Sequence, residues 1–542
     1  MFDGHPRIPT PTNEPIKGYA PGSPERVSLE ARIRTMSAET ADCPMVIGGR
    51  EVRSGETFVQ RSPHRHSNEI AKVHGARRED VEAAITSALS VADEWAAMSW
   101  KDRSAIFLKA ADLIAGPYRD AVNASTILGQ SKSVQQAEID AACELVDFLR
   151  FNVHYAEEIY GEQPMYSPDA TWNQLDWRPL EGFVLAITPF NFTAIGGNLP
   201  TAPAMMGNVV LWKPSEKQAL SAHYTMEAFR EAGVPDGVIN LLHGDGARVA
   251  DVAMAHENFA GLHFTGSSTV LKSLWKKAAG NLDHYRTFPR IVGESGGKDF
   301  VAVHPSADAA PVVVALARAA FEYQGQKCSA ASRAYIPESL WPAIRDGIRE
   351  TVAEITMGDV GEDLSTFMGA VIDEGAFQKH REAIEQAKAD GLEVVCGGGT
   401  DDSVGWFVEP TVLRTDDPRH DLMARELFGP ILTVYVYEDS KWEETLELVD
   451  TTSPYALTGS VFAHERSTLV EASNRLRNAA GNFYLNDKPT GSVVGQQPFG
   501  GARSSGTNDK AGSFLNLLRW VSPRSIKENF VPVLDWTYPH MG

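Results

Sequence analysis

Gly182-Phe-Val-Leu-Ala-Ile-Thr188 and Asn208-Val-Val-Leu-Trp212 are short apolar runs rich in strand formers, and Ala219–Ala232, closed by Gly233 and Pro235, reads as the helix that follows them. Apolar runs without polar alternation belong to strands buried on both faces, as in a parallel sheet covered by helices. Working outward, residues 238–242 and 260–264 read as two further strands, with helical periodicity over 248–256 between them. The alternation restarts after Gly297. Strands are expected at 300–304, 432–437, 460–463 and 481–485, and helices at 310–323, 442–449 and 467–476. This order predicts α/β architecture, with two doubly wound halves joined near Glu294. Upstream, helical periodicity begins at residue 78, continues through 102–114 and covers about 134–160. Residues 1–40, rich in Pro, Gly and charge, read as an extended arm.

A chain of 542 residues is too long for one small core, and its 43% hydrophobic and 22% charged content is that of a soluble globular enzyme. The net charge of −21 argues against nucleic acid and anionic membrane as partners. No apolar run approaches the roughly 18 residues of a membrane span. The four cysteines, Cys43, Cys143, Cys328 and Cys396, are widely spaced with no CxxC, which suits a reducing compartment. The first ten residues show no basic-then-apolar signal, so a cytoplasmic location is expected.

Cys328 lies in the polar, Gly-containing stretch Glu322-Tyr-Gln-Gly-Gln-Lys-Cys-Ser-Ala-Ala-Ser332, whereas free cysteines mostly hide in apolar cores. Glu294, in Val292-Gly-Glu-Ser-Gly-Gly-Lys298, sits where the backbone must bend tightly. Together they suggest a nucleophile and a general base. Taken singly, each has an ordinary structural explanation: a buried thiol and a surface carboxylate. No G-x-G-x-x-G opens a helix after a strand, and Gly244-Asp-Gly246 is a partial match that also reads as a turn. Lys213-Pro-Ser-Glu216 follows a buried strand, at the carboxyl end where open α/β sheets hold ligands. There Lys213 can bond ribose hydroxyls, and Glu216 can accept from a 2′-OH and repel a 2′-phosphate. Ser267 in Phe264-Thr-Gly-Ser267 opens a helix whose free N–H groups can hold a pyrophosphate.

Six stretches now fall into register. Thr188-Pro-Phe-Asn-Phe192, Lys213-Pro-Ser-Glu216, Phe264-Thr-Gly-Ser267, Glu294-Ser-Gly-Gly-Lys298, Gly325-Gln-Lys-Cys328 and Glu426-Leu-Phe-Gly-Pro430 resemble, in order, the motifs of the aldehyde dehydrogenase family. The resemblance runs from about residue 40 to the end. The chain departs from it at Ser295, where the family usually has Leu. Asn13-Glu-Pro15, Gly22-Ser-Pro-Glu-Arg26, Thr490-Gly-Ser492, Gln496-Gln-Pro-Phe-Gly-Gly-Ala-Arg503 and Ser505-Gly-Thr-Asn-Asp-Lys510 resemble the 1-pyrroline-5-carboxylate dehydrogenases within that family.

The resemblance implies NAD as cofactor and oxidation of L-glutamate γ-semialdehyde to L-glutamate, the second step of proline breakdown. It implies that Cys328 attacks the aldehyde, that Asn191 and the Cys328 N–H receive the oxyanion, and that Glu294 activates water against the thioester. Glu426 and Phe428 match the residues beside the nicotinamide ribose. Gly491, Ser492 and Ser329 match donors to the substrate carboxylate, Phe192 and Phe499 would sandwich its methylene chain, and Glu144 would face its ammonium. Lys298 and Lys327 flank the site and are expected to favour thiolate. No metal is implied.

By the same resemblance the NAD-binding domain is 1–158 with 182–296, the catalytic domain 297–510, and a β-flap for oligomerisation with a tail 159–181 with 511–542. A homodimer or hexamer of dimers is implied, and a separate proline dehydrogenase partner is left open. Two enzymatic alternatives also stay open: an aldehyde dehydrogenase of other specificity, and an NAD-independent thioester or ester hydrolase. A retired scaffold with no activity is disfavoured by the intact Cys328, Glu294 and Asn191.

Overall fold

The computed structural model describes residues 7–542, so the first six residues of the expected arm lie outside the described residues. Two seven-stranded sheets dominate. The first runs Arg290–Glu294, Phe259–Thr265, Phe183–Thr188, Val209–Pro214, Ile239–Leu241, Met45–Ile47, Arg50–Val52. Its first five strands are parallel, and the last two join antiparallel. Val209–Pro214 is buried along its whole length, which is why its sequence carries no polar alternation. The chain steps away from Phe183–Thr188 on one side, then returns to add Phe259–Thr265 on the other. That reversal leaves a crevice at the carboxyl ends of these two strands.

The second sheet runs Glu393–Cys396, Thr411–Thr415, Ile431–Tyr437, Ala331–Pro337, Asp299–Val303, Thr458–Phe462, Asn482–Leu485, parallel except for the first strand. Only Ser295-Gly-Gly-Lys298 separates the end of Arg290–Glu294 from the start of Asp299–Val303. The carboxyl edge of the first sheet therefore meets the amino edge of the second. A third, small sheet pairs Thr171–Pro179 antiparallel with Val521–Asn529. The helix Ala219–Ala232 ends at Gly233 in the left-handed conformation (φ +104), the usual C-terminal stop.

Two sequence expectations give way. The extended arm stops at residue 22, because Pro24–Ala38 is a helix with Ser23 accepting from the Arg26 N–H as its N-cap. Leu29, Ile33 and Met36 form its buried face, packed with Ile127 and Leu128; the Pro and charge content around them masks that spacing. The helix expected over 310–323 is Ala309–Phe321, and Tyr323 belongs to the tight turn Glu322–Gly325. The stretch near 134–160 is helical throughout, but Glu138–Glu144 is wound as a π-helix between two α-helical pieces. The sequence reading passed over the strand Ala331–Pro337 and the helices Trp341–Glu354 and Glu374–Ala389.

Candidate active site

Cys328 is presented by the turn that precedes Ala331–Pro337. Tyr323, Gln324 and Gly325 take φ values of +52, +55 and +63 in succession, a run that non-glycine residues rarely adopt. A Cβ on Gly325 would lie 2.3 Å from the Gly429 carbonyl oxygen, so only glycine fits there. Side chains fix the contorted turn. Gln324 Nε2 donates to Ser131 O (2.9 Å) and Ala370 O (2.7 Å), and Gln326 Oε1 accepts from the Ile372 N–H (2.9 Å). Such over-determination is what sustains backbone strain.

Asn191 reaches the same turn from the carboxyl end of Phe183–Thr188. One of its amide hydrogens is donated to Gln326 O at 2.9 Å. Its second amide hydrogen is the one that the oxyanion role implied by the resemblance would use. Glu294 ends the strand Arg290–Glu294, and its Oε2 has no hydrogen-bond partner. Burial pushes its carboxyl well above the usual range, opposed by the Gly501 N–H and the Lys510 ammonium. Ser295, where the family has Leu, is buried and donates from Oγ to Ser504 O (2.7 Å), while its N–H bonds Ser505 O (2.8 Å). The departure from the family pattern thus fastens the base-bearing loop instead of loosening it.

The Cys328 thiol is pushed well above its ordinary range by burial, and then by the carboxylates of Asp299, Glu294, Glu426 and Glu144. This corrects the expectation that Lys298 and Lys327 favour thiolate. Lys327 is spent on Glu322 (2.8 Å), and Lys298 is buried with no partner at its ammonium and with its pKa lowered to about 7 by burial. Both shifts favour the protonated forms of Cys328 and Glu294 in the resting site.

A cleft of about 600 Å³ opens beyond the carboxyl ends of Phe183–Thr188 and Val209–Pro214, lined among others by Phe190, Lys213, Glu216, Gly246 and Lys379. Gly246 starts a short helix capped by Asp245, so the partial Gly-rich match is a helix-opening turn on the cleft wall. A Cβ there would come within 3.3 Å of Lys213 Nζ; its absence keeps the floor open. The donors of Lys213 and the acceptors of Glu216 on that wall fit a ribose. Ser267 stands outside this lining, as N-cap of Ser268–Gly280, with its Oγ accepting from the Val270 N–H at 3.3 Å. Glu426 accepts from the Gly297 N–H (2.9 Å), and burial raises its pKa to about 6. Phe428, held at φ +59, meets Phe190 edge to face at 5.7 Å.

On the other side of Cys328, Ser329 Oγ bonds Thr490 Oγ1 at 2.7 Å, joining the thiol's neighbour to the loop of Gly491 and Ser492. Gly491 takes φ +91, in the left-handed region that glycine favours. Phe192 caps the helix Thr193–Met205, and Phe499 exchanges both backbone bonds with Ala511 (3.0 and 2.8 Å). Glu144, at the end of the π-helical segment, has its pKa raised to about 8, by burial first and then by Asp140.

Two residues that the sequence reading missed hold this wall together. Asp140 caps the helix Thr193–Met205 from outside, accepting from the N–H groups of Thr193 (3.0 Å) and Ala194 (2.8 Å), and from Lys132 Nζ (2.6 Å). The Lys132 ammonium then lies 3.8 Å from the Phe192 ring centre and 4.6 Å from that of Tyr323. One buried ion pair thus fixes the start of Thr193–Met205 and packs against Phe192 and against Tyr323 of the Glu322–Gly325 turn. The only available signal was the run of polar residues inside an apolar helical stretch. The described residues hold no His, Cys, Asp or Glu cluster suited to a metal ion, and no helix is long and apolar enough to cross a membrane.

Comparison with known proteins matches the aldehyde dehydrogenase family to residues 51–522. The mitochondrial delta-1-pyrroline-5-carboxylate dehydrogenase of Dictyostelium discoideum is 53% identical, over 98% of this chain and 96% of its own. The crystal structure of the delta-pyrroline-5-carboxylate dehydrogenase from Mycobacterium tuberculosis bound with NAD superposes with a TM-score of 0.96 and 53% identity, covering 100% of both chains. Proline utilization A from Bdellovibrio bacteriovorus is 28% identical with a TM-score of 0.91, and aligns with 97% of this chain but 54% of its own. With its motifs in order and its thiol, amide and carboxyl gathered where two sheets abut, this chain belongs to the aldehyde dehydrogenase family.

Proposed function

We propose that this chain oxidises L-glutamate γ-semialdehyde, the open form of 1-pyrroline-5-carboxylate, to L-glutamate, with NAD as cofactor, in proline degradation. The observation that carries the reading is the 2.7 Å joint between Ser329 and Thr490. It sets the residue after Cys328 against the loop of Gly491 and Ser492, which in this reading captures the substrate carboxylate. Bound NAD supplies the hydride acceptor and, in its oxidised ring, a positive charge. Lys213 and Glu216 hold its ribose, Ser267 its pyrophosphate, and Glu426 with Phe428 its nicotinamide end. Cys328 gives its proton to a base and bonds the aldehyde carbon. The free Asn191 N–H and the Cys328 N–H stabilise the oxyanion. Collapse of the oxyanion expels the aldehyde hydrogen as hydride, which bound NAD would accept, and leaves the Cys328 thioester. Glu294, once deprotonated, takes a proton from water as that water attacks it, and glutamate leaves with Cys328 released as thiolate.

Gly491, Ser492 and Ser329 bind the substrate carboxylate, Phe192 and Phe499 enclose its chain, and Glu144 faces its ammonium. The same reading divides the chain into an NAD-binding domain, a catalytic domain and a flap at the limits given above. It assembles the chain as a homodimer or hexamer of dimers. It allows a separate proline dehydrogenase and places the chain in the cytoplasm, although the Dictyostelium relative is named mitochondrial.

An NADH-absorbance assay with pyrroline-5-carboxylate and with propionaldehyde tests it. Propionaldehyde leaves the carboxylate donors unpaired, so its efficiency is expected to be at least about a hundredfold lower. Equal efficiency favours an aldehyde dehydrogenase of other specificity. Turnover without nucleotide favours a hydrolase.

A further inference from the structure

Two motifs from opposite ends of the chain, Asn13-Glu-Pro15 and Gln496-Gln-Pro498, have no part in the site as described. The fold joins them. Asn13 Nδ2 donates to Asp147 Oδ2 (2.8 Å) and to Val494 O (2.8 Å), and Asn13 Oδ1 accepts from Gln496 Nε2 (3.0 Å). One side-chain amide thereby ties the helix Leu145–Gly161 to the loop that follows Gly491 and Ser492.

The segment carrying Asn13 is itself pinned. The Glu14 N–H donates to Asp147 Oδ1 (2.7 Å), and the Glu14 carboxylate bridges Arg119 (2.6 Å) and Arg150 (2.7 Å). Further along, the Lys17 N–H and the Tyr19 hydroxyl each donate to Glu138 at 2.8 Å. On its other side the loop rests on the same helix. Gly495 (φ +82) lies so close to Phe151 that a Cβ would fall 2.1 Å from a ring carbon.

We propose that this N-terminal strap, acting through Asn13, holds loop 491–497 in the shape that captures the substrate carboxylate, which makes Asn13 a positioning residue for specificity. The inference rests on the reading of Gly491 and Ser492 given under Proposed function. A loop with two left-handed glycines has many conformers, and its N–H groups converge on a carboxylate only when that freedom has been removed beforehand. Asn13 removes it by occupying Val494 O and Gln496 while touching no substrate. An aldehyde without a carboxylate does not use the loop and is indifferent to the strap.

Full-length Asn13→Ala and Gln496→Ala, each assayed with glutamate γ-semialdehyde and with propionaldehyde, test the proposal. The loss of hydrogen bonds to the loop is expected to raise KM for the semialdehyde about fivefold or more in Asn13→Ala, and by less in Gln496→Ala, with kcat unchanged. Propionaldehyde kinetics stay at wild-type values, and amide hydrogen exchange rises in 491–497. A parallel loss with both aldehydes means a merely structural contact and overturns the strap. So does an unchanged semialdehyde KM, whatever the exchange shows. If Asn13→Ala does not fold, the exposed Gln496→Ala decides by the same criteria. Failure of the underlying reading looks different: the wild type itself then prefers neither aldehyde, and the strap's role in specificity falls with it.

Discussion

The two sheet edges that meet at the active site are built differently. The carboxyl edge of the first sheet provides its cleft through ordinary means: strands that end, short turns, helices that begin. Its walls come from the chain beyond Phe183–Thr188 and Val209–Pro214, from the start of Gly246–Ala253, and from the start of the helix Glu374–Ala389. The amino edge of the second sheet is built around the turn Glu322–Gly325. Chemistry there needs three successive left-handed residues, two buried glutamines and a buried ion pair to present one thiol. In the proposed reading the cofactor cleft needs no unusual backbone, whereas the nucleophile is held against the preferences of its own.

Separating the two edges by mutation gives the largest effect. Cys328→Ala removes the bond-forming atom and leaves the cleft of Lys213 and Glu216 untouched. Oxidation is expected to fall by at least about a thousandfold while NAD affinity, read by calorimetry, stays within about twofold of wild type. Activity within about tenfold of wild type, or about 1.4 kcal/mol on the barrier, removes Cys328 as nucleophile.

Glu294 stands at the junction, last on one edge and aimed at the other. Glu294→Gln is expected to slow thioester hydrolysis by about a hundredfold or more and to expose a rapid first turnover of NADH. The sign of its pH dependence follows from its raised pKa. The base acts only when deprotonated, so the rate rises with pH through a value well above that of an ordinary carboxylate. That limb vanishes in the glutamine variant. A limb that survives in Glu294→Gln belongs to another group, with Cys328 the first to examine.

Gly325→Ala asks whether strain at the amino edge is needed. A Cβ there strikes Gly429 O at 2.3 Å and sits at φ +63. The expected cost is about 2–4 kcal/mol in stability, read as a lower Tm, with kcat reduced more than NAD affinity. Unchanged kcat in a folded variant shows that the turn tolerates other shapes.

The sequence and the structure part company along the same line. The parallel strands and the helix Ala219–Ala232 were legible because burial on both faces and a terminal Gly233 leave local marks. Cys328, Glu294 and Asn191 were singled out because they sit in motifs of fixed order. The π-helical wall, the Asp140–Lys132 pair and the capping of Pro24–Ala38 were not found. A π-turn has no distinct periodicity over seven residues, and an ion pair beneath an aromatic ring exists only once the chain is folded. Ser295 shows the limit from the other side: the sequence shows only a departure from the family's Leu, and only the neighbouring loop reveals its two hydrogen bonds.

The smallest effect is expected at the carboxyl edge. Glu216 follows the strand Val209–Pro214 and lines the cleft beside Lys213. If it meets the adenosine ribose, a 2′-phosphate brings negative charge against its carboxylate, and NAD is preferred over NADP. Glu216 is exposed, so water and salt weaken the repulsion. Glu216→Gln is therefore expected to shift the ratio of kcat/KM for the two cofactors by only about tenfold, about 1.4 kcal/mol, through the KM for NADP. The shift should shrink as ionic strength rises. A wild type that uses both cofactors alike removes the preference; a wild-type preference that Glu216→Gln leaves intact moves it to another residue of the same wall. In either case the amino edge keeps its chemistry, because nothing at Cys328 depends on which nucleotide the cleft selects.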